Sequence, residues 1–323
     1  MCTAISDTQN MHLFGRTLDL EYSYGESTVL TPRAFELRFS ELCAPREHLA
    51  LLGTAHVCDG VPLYYDAVNE SGLAAAALNF PLEAVYNPPR VGAHNVASFE
   101  LIPWILSQCE DLRDAVRLLQ NANVTDKSFS PAMPATPLHW LIADKSGCIA
   151  VEPTERGLEV HNDPFGVLTN SPRFSRHVSN LARYAHCSPS APKNNICPQA
   201  DISCFPRGTG AVGLPGDLSS ESRFIRAVFC KSHTVNESDV AAQISRFFHV
   251  MDAVAQPRGC ALSERGEPIE TAYTSCIDTC AQVYYYTTYS CRAIHAVSMR
   301  AHDLDGRELT VFDRSHKESF SFL

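Results

Sequence analysis

No stretch of 18 or more apolar residues occurs in this chain of 323, so nothing in it reads as a membrane-spanning helix. Basic residues are not in excess: 26 Lys and Arg face 36 Asp and Glu. The net charge of -10, with no Lys/Arg-rich patch, argues against nucleic acid as a partner. The first residues hold no basic stretch followed by an apolar run, so no secretory signal is read and a cytoplasmic location is expected. Internal repeats and low-complexity tracts are missing too. Metal-ligand pairs are scarce: the nearest candidate, Cys276 and Cys280, lies in a strand-like stretch with no second pair at matching spacing, so no metal is expected.

What is present is ordinary globular composition, 45% apolar and 19% charged. The length suits one large core or two ordinary domains, and because no feature demands a split, a single domain over residues 1–323 is expected. Thirteen cysteines, an odd count without a secretion signal, read as buried or free thiols rather than a disulfide framework. Cys58, Cys109, Cys148 and Cys230 sit in mostly apolar surroundings and read as small core residues.

The opening predicts a hairpin: TAIS, a polar DTQN turn, then HLFGRTLDL, with further extended segments at STVLTP and ELRFS. LALLGTAHV, VPLYYDAVN and GLAAAALNFP read as buried strands. From Ser98 to Gln120 the period becomes helical, and Pro103 and the CED segment divide it into two helices. TPLHWLIAD, CIAVEP and GLEVHN predict three strands, and PRFSRHVSNLARYA a helix. Residues 187–217, with five prolines and four glycines, exclude regular structure. SRFIRAVF and NESDVAAQISRFFHVMDAV are helical, the second with Val240, Ile244, Phe247, Phe248 and Met251 along one face. The end returns to strands at TAYTSCID, AQVYYYTTYS, CRAIHAVSM and LTVFD. Strands at both termini around two helical blocks predict an α+β fold in which helices cover two packed sheets.

The chemistry begins at MCTAIS. Initiator methionine is commonly trimmed before a small residue, which would leave Cys2 with a thiol and a free α-amine on one carbon. Such an amine, with an unperturbed pKa of ~7.7 to 8.0, can take the thiol proton itself. The plainer reading is an ordinary cysteine behind a retained methionine. Arg16, among Phe14, Leu18 and Leu20, is a costly cation unless it has a partner, and a guanidinium beside a thiol favours the thiolate. Asp19 is an odd number of residues away, so both reach one site only if the strand ends or bulges between them, with Gly15 as a hint of a bulge. A surface ion pair is the alternative for each. Asn79 and Asn170 each close an apolar stretch, and a buried amide there is either a turn clamp or a donor to developing negative charge. Arg223 opens a helix after GLPGD and reads equally as a surface charge.

Together MCTAIS, FGRTLDLEYSYGES, GLAAAALNFP, PLHWLIAD, VLTNSP, GLPGDLSSESRFIRAVF and YTSCID resemble the choloylglycine hydrolase family, the bile salt hydrolases and penicillin V acylases, over essentially the whole chain. The resemblance implies an N-terminal-nucleophile hydrolase with a four-layer αββα fold, usually a homotetramer, that hydrolyses an amide without metal or cofactor. It assigns Cys2 as nucleophile and its freed amine as base, and Arg16 and Asp19 as the pair beside the thiol. Asn170 (side chain) and Asn79 (backbone N–H) become the two oxyanion donors, and Arg223 the second active-site arginine. Asn79 and its LNFP context are similar to the bile salt branch, so conjugated bile salts are the expected substrate. Penicillin V or N-acyl homoserine lactone acylase, or a binding protein of the same fold, are the alternatives. The resemblance also implies that Leu18, Tyr24, Phe129 and Met133 face a steroid, their alternative being ordinary packing. PRGTGAVG falls where the family reads the amino acid end of its substrate.

Overall fold

The computed structural model describes every residue except Ser203, Cys204, Pro206, Ser321 and Leu323. Pro206, the first residue of the PRGTGAVG segment, therefore lies outside the described residues. In chain order the first strands are β1 (Cys2–Asp7), β2 (Leu13–Leu20), β3 (Ser27–Thr31), β4 (Leu51–Cys58), β5 (Val61–Asn69), β6 (Ala74–Asn79) and β7 (His94–Ala97). Helices α1 (Leu101–Leu106) and α2 (Leu112–Leu119) follow, then β8 (Ala122–Thr125), β9 (Leu138–Asp144), β10 (Gly147–Thr154), β11 (Gly157–Asn162) and β12 (Val167–Leu168). Helices α3 (Phe174–Leu181), α4 (Ser220–His233) and α5 (Val240–Asp252) precede β13 (Ala261–Leu262), β14 (Pro268–Asp278), β15 (Val283–Thr288), β16 (Cys291–Ser298) and β17 (Thr310–Phe312).

The strands form two large antiparallel sheets. One runs β12-β1-β2-β14-β15-β16, with β13 beside β14, and the other runs β11-β10-β9-β6-β5-β4-β3-β17. Period-two alternation sorts their side chains. In β6, Ala74, Ala76 and Leu78 face the first sheet, while Ala75 and Ala77 face α1. In β9, Leu141 and Ala143 face inward, and Trp140 and Ile142 outward. Helices α4 and α5 bury Phe224, Phe247 and Met251 against the first sheet, and α1 buries Leu101 and Ile105 against the second. The result is helix, sheet, sheet, helix, the four layers that the resemblance implied.

Several expectations are corrected in detail. ELRFS is not a strand; its backbone is taken up by other partners, with Ser40 N donating to Glu100 Oε1 at 2.6 Å and Leu37 N to Phe35 O at 3.0 Å. The parallel pair β7 and β8 has no counterpart in the sequence reading, because each strand is only four residues long. Val240 is exposed at the start of α5, so the apolar face begins at Ile244. Cys109 and Cys148 are core residues as expected, whereas Cys58 and Cys230 are only half-buried. Gly15 marks no bulge: a Cβ there would lie 2.0 Å from Ser275 O, so glycine is required by the approach of β14 to β2.

Candidate active site

Cys2 is the first residue of β1, held in register opposite Leu18 of β2. Strand pairing on both sides, with β2 and β12, gives this terminus the rigidity that a frayed end lacks. Its thiol faces the interior between the sheets and receives Arg16 Nη2 at 2.6 Å. Arg16 is fully buried, and its other donors go to main-chain carbonyls: Thr17 O at 3.2 Å, Tyr65 O at 3.1 Å and Ala77 O at 2.5 Å. Burial alone would lower its pKa, but Cys2, Tyr273, Asp66 and Asp19 outweigh this and hold it charged.

Arg16 and Asp19 keep the strand alternation, and β1 and β2 pair without a register shift. Their side chains therefore lie on opposite faces. Asp19 accepts from Thr271 Oγ1 at 2.7 Å and from Thr17 Oγ1 at 3.5 Å. The irregularity expected between them lies instead in the neighbouring strand, where the β14 register shifts between Thr271 and Tyr273. Asp19 meets the chain start through its main chain, its N–H donating to Met1 O at 2.8 Å and its carbonyl accepting from the Met1 amine at 2.5 Å.

Asn170 and Arg223 close the other side. Cys2 N donates to Asn170 Oδ1 at 2.8 Å, and Arg223 Nη2 donates to the same oxygen at 2.7 Å. Arg223 Nη1 reaches Cys2 O at 2.5 Å and Thr3 Oγ1 at 2.6 Å, so this arginine is no surface charge. Burial lowers its pKa, which Asp19 and Cys2 offset in part. Asn170 Nδ2 donates one hydrogen to Asn79 O at 2.7 Å and keeps its second. Asn79 itself is exposed, which corrects the expectation of a buried amide. Phe80 N bonds to Pro137 O at 2.8 Å, so strand parity turns the Asn79 backbone away from β9, the direction from which Asn170 approaches.

Six of the ten expected residues thus gather at Cys2, and Leu18 lies beside it. Tyr24 is on an exposed loop with its hydroxyl 2.8 Å from that of Tyr22. Phe129 and Met133 share one tight turn, Phe129 N donating to Met133 O at 3.1 Å, and Phe129 packs edge-on against Phe99 at 5.5 Å. No contact here ties Tyr24, Phe129 or Met133 to the thiol. The sequence reading missed the carbonyls of Tyr65 and Ala77, for which side-chain identity carries no signal. It also missed Ser220 Oγ, which accepts from Asn170 N at 2.9 Å. Among the described residues no group of three or more His, Cys, Asp or Glu side chains is placed to hold a metal ion, and no helix is long and apolar enough to cross a membrane. Cys276 is buried in β14 and Cys280 exposed in the turn beyond it.

Two antiparallel sheets between helical layers, with a cysteine opening an inner strand, are the fold of N-terminal-nucleophile hydrolases. The same architecture occurs in the crystal structure of a conjugated bile acid hydrolase from Clostridium perfringens, 33% identical, with a TM-score of 0.89 over all of both chains. At the level of fold alone it occurs in a penicillin V acylase from Agrobacterium tumefaciens, 20% identical with a TM-score of 0.75 over 97% of this chain and 91% of that one. A protein of Lactiplantibacillus plantarum described as a bile salt hydrolase/transferase is 40% identical over 309 residues, 96% of this chain and 95% of that one. Residues 2–312 match the linear amide C–N hydrolases of the choloylglycine hydrolase family. The chain belongs to that family and is a hydrolase of amide bonds.

Proposed function

We propose that this chain hydrolyses the amide of glycine- or taurine-conjugated bile salts, with Cys2 as nucleophile once Met1 is removed. The observation that carries the reading is the pair of contacts at Cys2: Arg16 Nη2 at 2.6 Å from Sγ, and Asn170 Oδ1 at 2.8 Å from the nitrogen that would become the free amine. The chain's similarity to a bile salt hydrolase/transferase and to a conjugated bile acid hydrolase supports the substrate class.

In this reading the neutral Cys2 amine takes the thiol proton, and the thiolate attacks the amide carbon. The second hydrogen of Asn170 Nδ2 and the Asn79 N–H receive the negative charge that develops on the carbonyl oxygen. The ammonium returns its proton to the departing glycine or taurine nitrogen as the C–N bond breaks, leaving a thioester on Cys2. The amine then takes a proton from water, whose oxygen attacks the thioester and releases the bile acid and the thiol. Arg223 and Asp19 hold the Cys2 main chain and the chain start around these steps. Leu18, Tyr24, Phe129 and Met133 are taken as the side chains that meet the steroid. A single domain, a homotetramer and a cytoplasmic location belong to the same proposal.

Incubating the purified protein with glycocholate and taurocholate and measuring the released amine tests it. Turnover of either supports the reading; turnover of penicillin V alone would move the substrate to the acylase branch. No turnover of any amide by protein lacking Met1 would leave a binding protein.

A further inference from the structure

The segment that carries Asn170 is held by two buried imidazoles. His139 Nε2 donates to Thr169 O at 2.8 Å, and His177 Nε2 donates to Asn170 O at 2.9 Å. Both rings are essentially inaccessible, at 0% and 1% exposure. Burial lowers the His177 pKa and keeps that ring neutral, a donor through Nε2 with Nδ1 unpartnered. His139 does more. It shares a face of β9 with Leu141 and Ala143, a row in which an imidazole is costly unless it is used. Its ring stacks on Phe80, centroids 4.2 Å apart and planes 9° from parallel, and Phe80 directly follows Asn79.

Behind the ring, Nδ1 faces Glu152 Oε1 at 3.5 Å, and the same oxygen accepts from Phe174 N, the first residue of α3, at 2.8 Å. Burial alone would raise the Glu152 carboxyl, but the neighbouring His139 and His161 rings and the Phe174 N–H bring it down to about 2. The Glu152 carboxylate thus sits behind the ring and accepts the first N–H of the helix that follows the Asn170 segment. One imidazole therefore touches both chain segments of the proposed oxyanion site: the Asn170 segment through Thr169 O, and the Asn79 segment through Phe80.

We propose that His139 is a positioning residue for amide hydrolysis, setting the distance between Asn170 Nδ2 and the Asn79 N–H. This inference rests on the reading of those two groups as oxyanion donors. His139 does not touch the reacting atoms, so it acts on rate through Asn170.

The test compares His139→Gln, His139→Asn and His139→Phe in glycocholate hydrolysis, with rates per folded molecule. Gln places an amide donor at the Nε2 position and reaches Thr169 O. Asn stops short of it, and Phe keeps only the stack on Phe80. The Phe and Asn variants are expected to lose up to about 100-fold in kcat, the effect of a misplaced group, with KM nearly unchanged, while Gln recovers most of the rate. Combining His139→Phe with Asn170→Ala is expected to be no slower than Asn170→Ala alone, since the partner through which His139 acts is gone. Losses that multiply in the double variant, or a folded His139→Phe with the parent kcat, would overturn the inference. Should His139→Phe not fold, equal rates for the Gln and Asn variants would overturn it instead. Near-normal turnover by Asn170→Ala alone is distinguishable from these, because it removes the donor reading and this inference with it.

Discussion

Asn170 is where residue identity decides most. Its oxygen accepts from Cys2 N and Arg223, and its nitrogen donates one hydrogen to Asn79 O and keeps the other. If Nδ2 also donates to the oxyanion, Asn170→Ala lowers kcat by about 100 to 1000-fold per folded molecule. Asn170→Asp does no better, because it sets a negative charge against the developing one. A clamp with no chemical part predicts that both variants lose melting temperature while rate per folded molecule persists. At the same scale, Cys2→Ser loses essentially all turnover, whereas Cys280→Ala and added chelator leave it unchanged in the same assay. Arg16 shows what was legible here and what was not. A cation in an apolar strand announced a buried task, but two of its anchors are backbone carbonyls of β5 and β6 in the other sheet, which no side-chain pattern encodes.

At the scale of elements, the hairpin β1–β2 holds Cys2, the proposed nucleophile, in a paired strand. Its central contact is Gly15, where a Cβ would meet Ser275 O at 2.0 Å and Phe247 Cε1 at 2.9 Å. Gly15→Ala should therefore cost about 3 kcal/mol or more, since backbone on one side cannot yield as a flexible side chain would. Urea unfolding measures it, and a loss under 1 kcal/mol would show that β14 shifts freely. Long strands and helices were legible because their apolar periods run for six residues or more; ELRFS misled because its alternation was real but its main chain bonds to loop and helix-start partners. The bulge was expected from Gly15 in β2 and lies in β14, since spacing along one strand says nothing of register slips in its neighbour.

For the molecule as a whole, stability on acidification joins opposing terms. Burial depresses His12, bonded to Ser6 Oγ and Thr279 Oγ1, to about 4, so between pH 6.5 and 4 the unfolded chain takes a proton that the folded chain refuses. Its contribution therefore falls as pH falls, by roughly 3 kcal/mol over that window. Burial raises Asp163 to about 6, which has the opposite sign: the folded chain holds that proton more tightly, and its contribution rises as pH falls from 6 towards the ordinary value of 3.8. The wild-type curve mixes both, but the difference between His12→Gln and wild type isolates one. That difference should move in favour of the variant by roughly 3 kcal/mol between pH 7 and pH 4, measured by urea unfolding at each pH. No such movement would mean that His12 titrates as a solvent-exposed ring does.

The four-layer fold buries Cys2 between two sheets, and the proposed mechanism needs a free α-amine there. The direct measurement is glycine release from glycocholate by two preparations of this protein, one lacking Met1 and one retaining it, each verified by intact mass. Turnover is expected only from the chain that begins at Cys2, since an amine locked in the Met1–Cys2 peptide bond cannot accept the thiol proton. Equal turnover by the chain that keeps Met1 would contradict it.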